Sequence, residues 1–106
     1  MSVYGGWKKA TIASGAGTTG AVDLGGPSWD FIQVIIPTVD SGTLKIQVCD
    51  TDDGTYQDLG NGVTTATTTG GYSTVFKLGG WQHIKIASSD TSQAAAREFK
   101  VRGMRF

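Results

Sequence analysis

The sequence predicts an all-β protein, on three observations. Helix formers gather in one place only, the SQAAAR stretch at residues 92–97, which is too short for an independent helix and reads as a loop or a single helical turn. Elsewhere apolar residues recur with a period of two, in short runs rich in β-branched and aromatic side chains. Those runs are fenced by Gly, Asp, Asn and Ser. Glycine supplies 16 of the 106 residues, yet with the two prolines it stays below the share that marks low-complexity disorder, so the glycines punctuate a folded chain. About eight or nine short strands at close spacing favour a β-sandwich or jelly roll over an open sheet.

In chain order, strands are expected at residues 7–13 and 21–24, then at 29–36, where the usual alternation fails. Ile32, Val34 and Ile36 line one face of that segment and Trp29, Phe31 and Ile35 the other, so both faces are apolar. Either the N-terminal segment covers the second face, as for a buried central strand, or another chain does. Residues 43–50 give the clearest strand, with Leu44, Ile46 and Val48 inward and Lys45, Gln47 and Cys49 outward. Weaker strands follow at 55–59, 63–68 and 73–78, separated by glycine-containing turns such as Gly70-Gly71 and Gly79-Gly80. Residues 81–87 place Ile84 and Ile86 inward with His83 and Lys85 outward, and residues 98–102 place Phe99 and Val101 inward with Lys100 and Arg102 outward. Apolar parity then switches to Met104 and Phe106, which predicts a bulge or bend at Gly103 and a last strand tied into a sheet or interface.

Composition narrows the function. Nine basic residues balance nine acidic ones, so no nucleic-acid or anionic-membrane attraction is expected. The longest apolar run, residues 34–37, is far too short to span a bilayer as a helix, and no secretory signal is expected at the N-terminus. The single cysteine, Cys49, forms no internal disulfide and no thiolate metal site by itself. The whole chain, 1–106, reads as one domain.

Chemistry-bearing patterns are sparse. GAGTTG at residues 15–20 matches the phosphate-cradling GxGxxG pattern, but a strand rather than a helix follows, so a structural loop is the favoured reading. Asp50, Asp52, Asp53 and Asp58 offer hard oxygen ligands without EF-hand spacing; a tight Asp53-Gly54 hairpin turn is favoured over a metal. The only histidine, His83, sits on a strand face with no nucleophile assigned to it, and no carboxylate pair is singled out, so no enzymatic activity and no cofactor are expected. Trp7, Trp29 and Trp81 with Tyr4, Tyr56 and Tyr72 serve first as packing residues and second as a stacking platform for a sugar or base. The acidic stretch 50–58 and the basic tail of Arg97, Lys100, Arg102 and Arg105 read as solvated edges, with complementary docking of neighbouring copies or of an acidic partner as the alternative.

The segments SGTLKIQVCDTDDGTYQDL (41–59), WQHIKIA (81–87) and FKVRGMRF (99–106) resemble small β-sandwich proteins of tailed bacteriophage particles, including jelly-roll capsid cement (decoration) proteins. Their order of strand, Asp-Gly turn, aromatic and strand is also similar to galactose-binding-like sandwiches of the discoidin type. The phage resemblance spans roughly residues 29–106. It implies a single β-sandwich of jelly-roll type, mainly antiparallel, made in the host cytoplasm and located in the virion. It further implies a homo-oligomer, trimer or dimer, on the outside of a head, binding the major capsid protein or another virion protein and stabilising contacts between capsid subunits. The discoidin-like resemblance implies instead a carbohydrate-binding or tail-associated adhesion module, although the paired cysteines of those families are missing. The residues expected to make protein contacts are Tyr4, Trp7, Trp29, Phe31, Ile35, Arg102, Arg105 and Phe106.

Overall fold

The computed structural model describes residues 3–25, 29–40, 42–51, 53–60, 64–67 and 70–105; Phe106, Asp52 and the Gly26-Pro27 turn lie outside the described residues. Ten strands occur among them: β1 (Val3–Tyr4), β2 (Lys8–Ile12), β3 (Val22–Asp23), β4 (Phe31–Thr38), β5 (Gly42–Cys49), β6 (Gln57–Asp58), β7 (Thr64–Thr67), β8 (Gly70–Lys77), β9 (His83–Ser88) and β10 (Arg97–Arg105). Among the described residues no helix is long and apolar enough to cross a membrane.

The strands form two antiparallel sheets. The first runs β2-β10-β4-β8, with β1 continuing the β2 edge; the second runs β3-β9-β5, with β6 and β7 side by side on the far edge of β5. With β1 and β2 counted as one interrupted strand and β6 and β7 as another, this is the eight-strand, double Greek key order of a jelly roll. Every expected strand is present, and only β1 was not foreseen.

The period of two decides which side of each strand is buried. From β2, β4 and β10 come Ile12, Ile32, Val34, Ile36, Phe99 and Val101; from β5 and β9 come Leu44, Ile46, Ile84 and Ile86, and all of these are almost fully buried. They interdigitate between the sheets as one continuous core.

Gly103 departs from the expected bulge. β10 pairs with β4 in unbroken register from Lys100↔Ile35 to Met104↔Phe31. Gly103 faces inward because a β-carbon there would fall inside the Trp29 indole, which lies against the bare backbone and donates from Nε1 to the Leu24 carbonyl at 3.1 Å. Met104 then faces outward by ordinary alternation. The Asp53-Gly54 turn also differs: β5 and β6 do form a hairpin, but the nearest paired residues are Val48 and Gln57, too far apart in the chain for a two-residue turn, and Gly54 has no positive φ. Gly54 is needed instead for close approach, since a β-carbon there would strike Cys49 Sγ and Thr51 Oγ1. That loop covers Cys49, which faces outward as expected but is buried.

At one end of the sandwich the loops are tied by Gln93, 1% exposed. Its Oε1 accepts from Asp40 N and Arg97 Nε, and its Nε2 donates to Ser88 Oγ and the Asp90 carbonyl. Arg97 also meets Asp40 in a 3.0 Å ion pair.

Candidate functional site

The outer faces of the two sheets differ. Among the described residues five large apolar side chains are conspicuously exposed: Tyr4 (52%), Ile35 (40%) and Val75 (51%) on strands of the first sheet, Trp7 (42%) in the segment joining its β1 and β2, and Trp81 elsewhere. Strand register explains the gathering. Tyr4, Met104, Phe31 and Lys77 form one row across β1, β10, β4 and β8; Arg102, Gln33 and Val75 form the next; Lys9, Lys100, Ile35 and Ser73 form a third. Trp7 shares the outward parity of Lys9 and stands at the edge beside Arg102.

Arg102 organises the surface. Its guanidinium carbon is 4.7 Å from the Tyr4 ring centroid and 4.5 Å from that of Trp7, and its Nε donates to Gln33 Oε1 at 2.8 Å. One cation thus holds two aromatic rings and is itself held by the neighbouring strand. Such preorganisation lowers the entropic cost of later binding.

Next to this clamp, Trp7, Lys8, Lys9, Ile35 and Lys100 line a depression of about 320 Å³. Lys9 and Lys100 stand directly opposite each other across β2 and β10, a like-charge pairing that opposes folding. Glu98 offsets part of it through a long, exposed 3.7 Å contact with Lys9. The rows therefore carry Lys9, Lys77, Lys100 and Arg102 around an apolar centre, with Glu98 as the adjacent acid.

Of the expected contact residues, Tyr4, Trp7, Phe31, Ile35 and Arg102 share this face. Trp29 does not: its ring is 5% exposed and fills the space over Gly103, because the chain bends at Asp30 before β4 begins. Arg105 turns with the inner parity of β10, 6.0 Å from the Trp29 ring centroid, and so caps the core rather than the outer face. The rows also contain Val75, Gln33 and Lys9, which are not among the expected contacts, and Lys100, which the sequence offers only as part of the basic tail. Val75 was legible: it is the one apolar residue on the otherwise polar parity of Ser73 and Lys77.

The remaining patterns are occupied by structure. In the 15–20 loop the amides of Gly15, Ala16 and Thr19 donate to the carbonyls of Gln93, Ala13 and Ile86, and a β-carbon on Gly17 would strike the Thr91 backbone. These amides bind the loop to β9 and the 90–93 segment, so they do not point at a phosphate. Asp58 accepts from Lys45 Nζ at 3.0 Å and Gln47 Nε2 at 3.2 Å, contacts that hold its carboxyl below the ordinary carboxylate range. Among the described residues no group of three or more His, Cys, Asp and Glu is placed to hold a metal ion.

One juxtaposition was not foreseen. Asp23, His83 and Cys49 lie in a single row across β3, β9 and β5, the residue types of a thiol triad. The bonds of such a triad are missing. Asp23 Oδ1 accepts from Gln82 Nε2 and Gly25 N, which lower its pKa; Cys49 Sγ contacts Asp50 Oδ1 at 3.6 Å; and buried His83 Nδ1 has no hydrogen-bond partner among the described residues. On the same side of the molecule, Trp81 borders a depression of about 340 Å³ with Asp50, Thr55, Gln57 and Asp58.

No protein-family model matches the sequence, and no curated protein is detectably similar to it. Similarity appears at the level of solved structures. The fold matches the SPBc2 prophage-derived protein YomS over 93% of this chain and 95% of that one, with TM-score 0.58 and 15% identity. It also matches CpGH89CBM32-4, produced by Clostridium perfringens and solved in complex with GlcNAc-α-1,4-galactose, over 87% of this chain and 68% of that one, with TM-score 0.53 and 13% identity. At these identities the shared property is the β-sandwich fold.

Proposed function

We propose that the chain is a structural virion protein that binds by surface complementarity, and specifically a head cement protein that docks the outer face of the β2-β10-β4-β8 sheet onto the major capsid protein. The clustering of Tyr4, Trp7, Ile35 and Val75 on one sheet face carries this reading, because exposed apolar groups gathered on one surface mark interaction sites. The surrounding cations select the partner's chemistry. The Lys9–Lys100 opposition is relieved when an acidic protein surface covers it, so the partner is expected to present carboxylates around an apolar contact. Many equivalent copies on a lattice would add avidity to individually modest contacts. The prophage origin of one fold neighbour is in keeping with this reading.

Co-sedimentation of the purified chain with empty heads and with isolated tails of one phage tests it. The chain is expected to pellet with heads, and an Ile35→Asp/Val75→Asp variant that stays folded is expected to remain in the supernatant. Failure of the parent chain to pellet with heads contradicts the reading.

A second reading, a carbohydrate-binding or adhesion module, is favoured by one observation: exposed Trp81 borders a depression that also presents Asp50, Thr55, Gln57 and Asp58. It predicts binding on a glycan array that is lost in Trp81→Ala and unaffected in the Ile35→Asp/Val75→Asp variant.

A further inference from the structure

The two sheets have four edges, and three of them are poor templates for another strand. β3 and β6 are two residues long and β7 is four. The β1-β2 edge is interrupted at residues 5–7, shifts register by one residue across the interruption, and carries Lys8 and Lys9. Short strands, interruptions and lysines are devices by which sheets avoid edge-to-edge association.

β8 has none of these devices along most of its length. It runs for eight residues, pairs with β4 in one register from Lys77 to Gly70, contains no proline, and bears its only charge at Lys77. No described strand pairs with its other side. The direction of its backbone groups follows from ladder alternation. Leu78 N donates to Asp30 O, and Gly5 N donates to Gly103 O on the far side of β10. With the β10-β4-β8 register, these bonds place the amides of Thr74 and Phe76 toward β4 and those of Gly71, Ser73, Val75 and Lys77 toward the open edge.

We propose that β8 is a self-association edge, along which two copies of this chain pair β8 to β8, antiparallel about a twofold axis, into one continuous sheet. An antiparallel edge is its own complement under a twofold operation. A register centred on Thr74 sets Ser73 opposite Val75 and Gly71 opposite Lys77, so the outward groups of both strands are satisfied and the two Lys77 side chains stand at opposite ends. The chain carries no formal net charge, so two copies approach without overall repulsion. Val75, half exposed in the single chain, gains a cross-strand neighbour. The pairing is made by the backbone edge, and Ser73→Pro leaves the apolar side chains of the outer face in place, so it is tested separately from the capsid reading; if both hold, two docking faces lie side by side.

Light scattering after size exclusion, combined with residue-resolved amide exchange at low and high protein concentration, tests the proposal. The expected result is a species of twice the chain mass. Its Ser73, Val75 and Lys77 amides exchange slowly at high concentration and faster on dilution, while Thr74 and Phe76 stay protected at both. Ser73→Pro, which removes an outward N–H, is expected to abolish the dimer while Thr74 and Phe76 remain protected; Val75→Lys serves the same purpose if the proline variant does not fold. A monomer at every concentration with fast Ser73, Val75 and Lys77 amides overturns the proposal, as does a dimer that both variants leave intact.

Discussion

Gly103 lacks a side chain because the Trp29 indole occupies its place. Gly103→Ala is therefore an overpacking substitution, expected to destabilise the fold by about 1–3 kcal/mol, and thermal denaturation checks it. A melting temperature unchanged from the parent would show that the indole moves aside at no cost. Asp23 gives a pH-dependent expectation. Its carboxyl is held below the ordinary range, first by the Gln82 side chain and then by the Gly25 amide, so the folded chain binds this proton less readily than the unfolded chain. The resulting stability is present above the unfolded value of about 3.9 and is lost as pH falls through the lowered folded value. Gln82→Leu is expected to move the Asp23 titration upward toward that ordinary value, as followed by carboxyl NMR. At this scale the sequence was only partly legible. Composition and parity point to Tyr4, Trp7, Ile35 and Arg102, but they misplace Trp29. Strand parity runs through Asp30 in the sequence although the chain bends there, and nothing local announces that a ring will fill the space beside a glycine on another strand.

Among the elements, β10 is paired on both sides and supplies Phe99 and Val101 to the centre of the core, both fully buried. Phe99→Ala is expected to cost about 3–5 kcal/mol, measurable by chemical denaturation, whereas Lys100→Ala on the opposite face of the same strand is expected to change stability by less than about 0.5 kcal/mol, in the stabilising direction. The strands were legible because one face of each is wet, which prints a period of two onto β5, β9 and β10. β1 was not, since Val3 and Tyr4 run directly into Gly5-Gly6, and so short a segment prints no alternation before them. The Asp53-Gly54 dipeptide predicts a tight turn because it signals hairpins strongly; here Gly54 answers the proximity of Cys49 Sγ and Thr51 Oγ1, a tertiary demand that local sequence does not encode.

For the whole molecule, zero net charge conceals a division between a basic, aromatic face on one sheet and the acidic β5-β6 region of the other. The Lys9–Lys100 opposition makes an expectation with opposite signs for stability and binding. Lys100→Glu replaces a like pair by an unlike one, so it is expected to stabilise the fold by about 0.2–1 kcal/mol while weakening attachment to an acidic partner. Parent attachment should likewise weaken as salt is raised. The jelly-roll architecture was legible from strand count and from the phage-protein resemblance, yet the asymmetry between the outer faces emerges only when register sets Ile35 beside Lys100 and Val75 in the row of Gln33 and Arg102.

Oxidative footprinting of the chain free and bound to phage heads, read at single aromatic residues by mass spectrometry, tests the docking face most directly. Tyr4 and Trp7 are expected to become protected on binding while Trp81 is modified equally in both states. Protection of Trp81 with Tyr4 and Trp7 still reactive would contradict the assignment of that face.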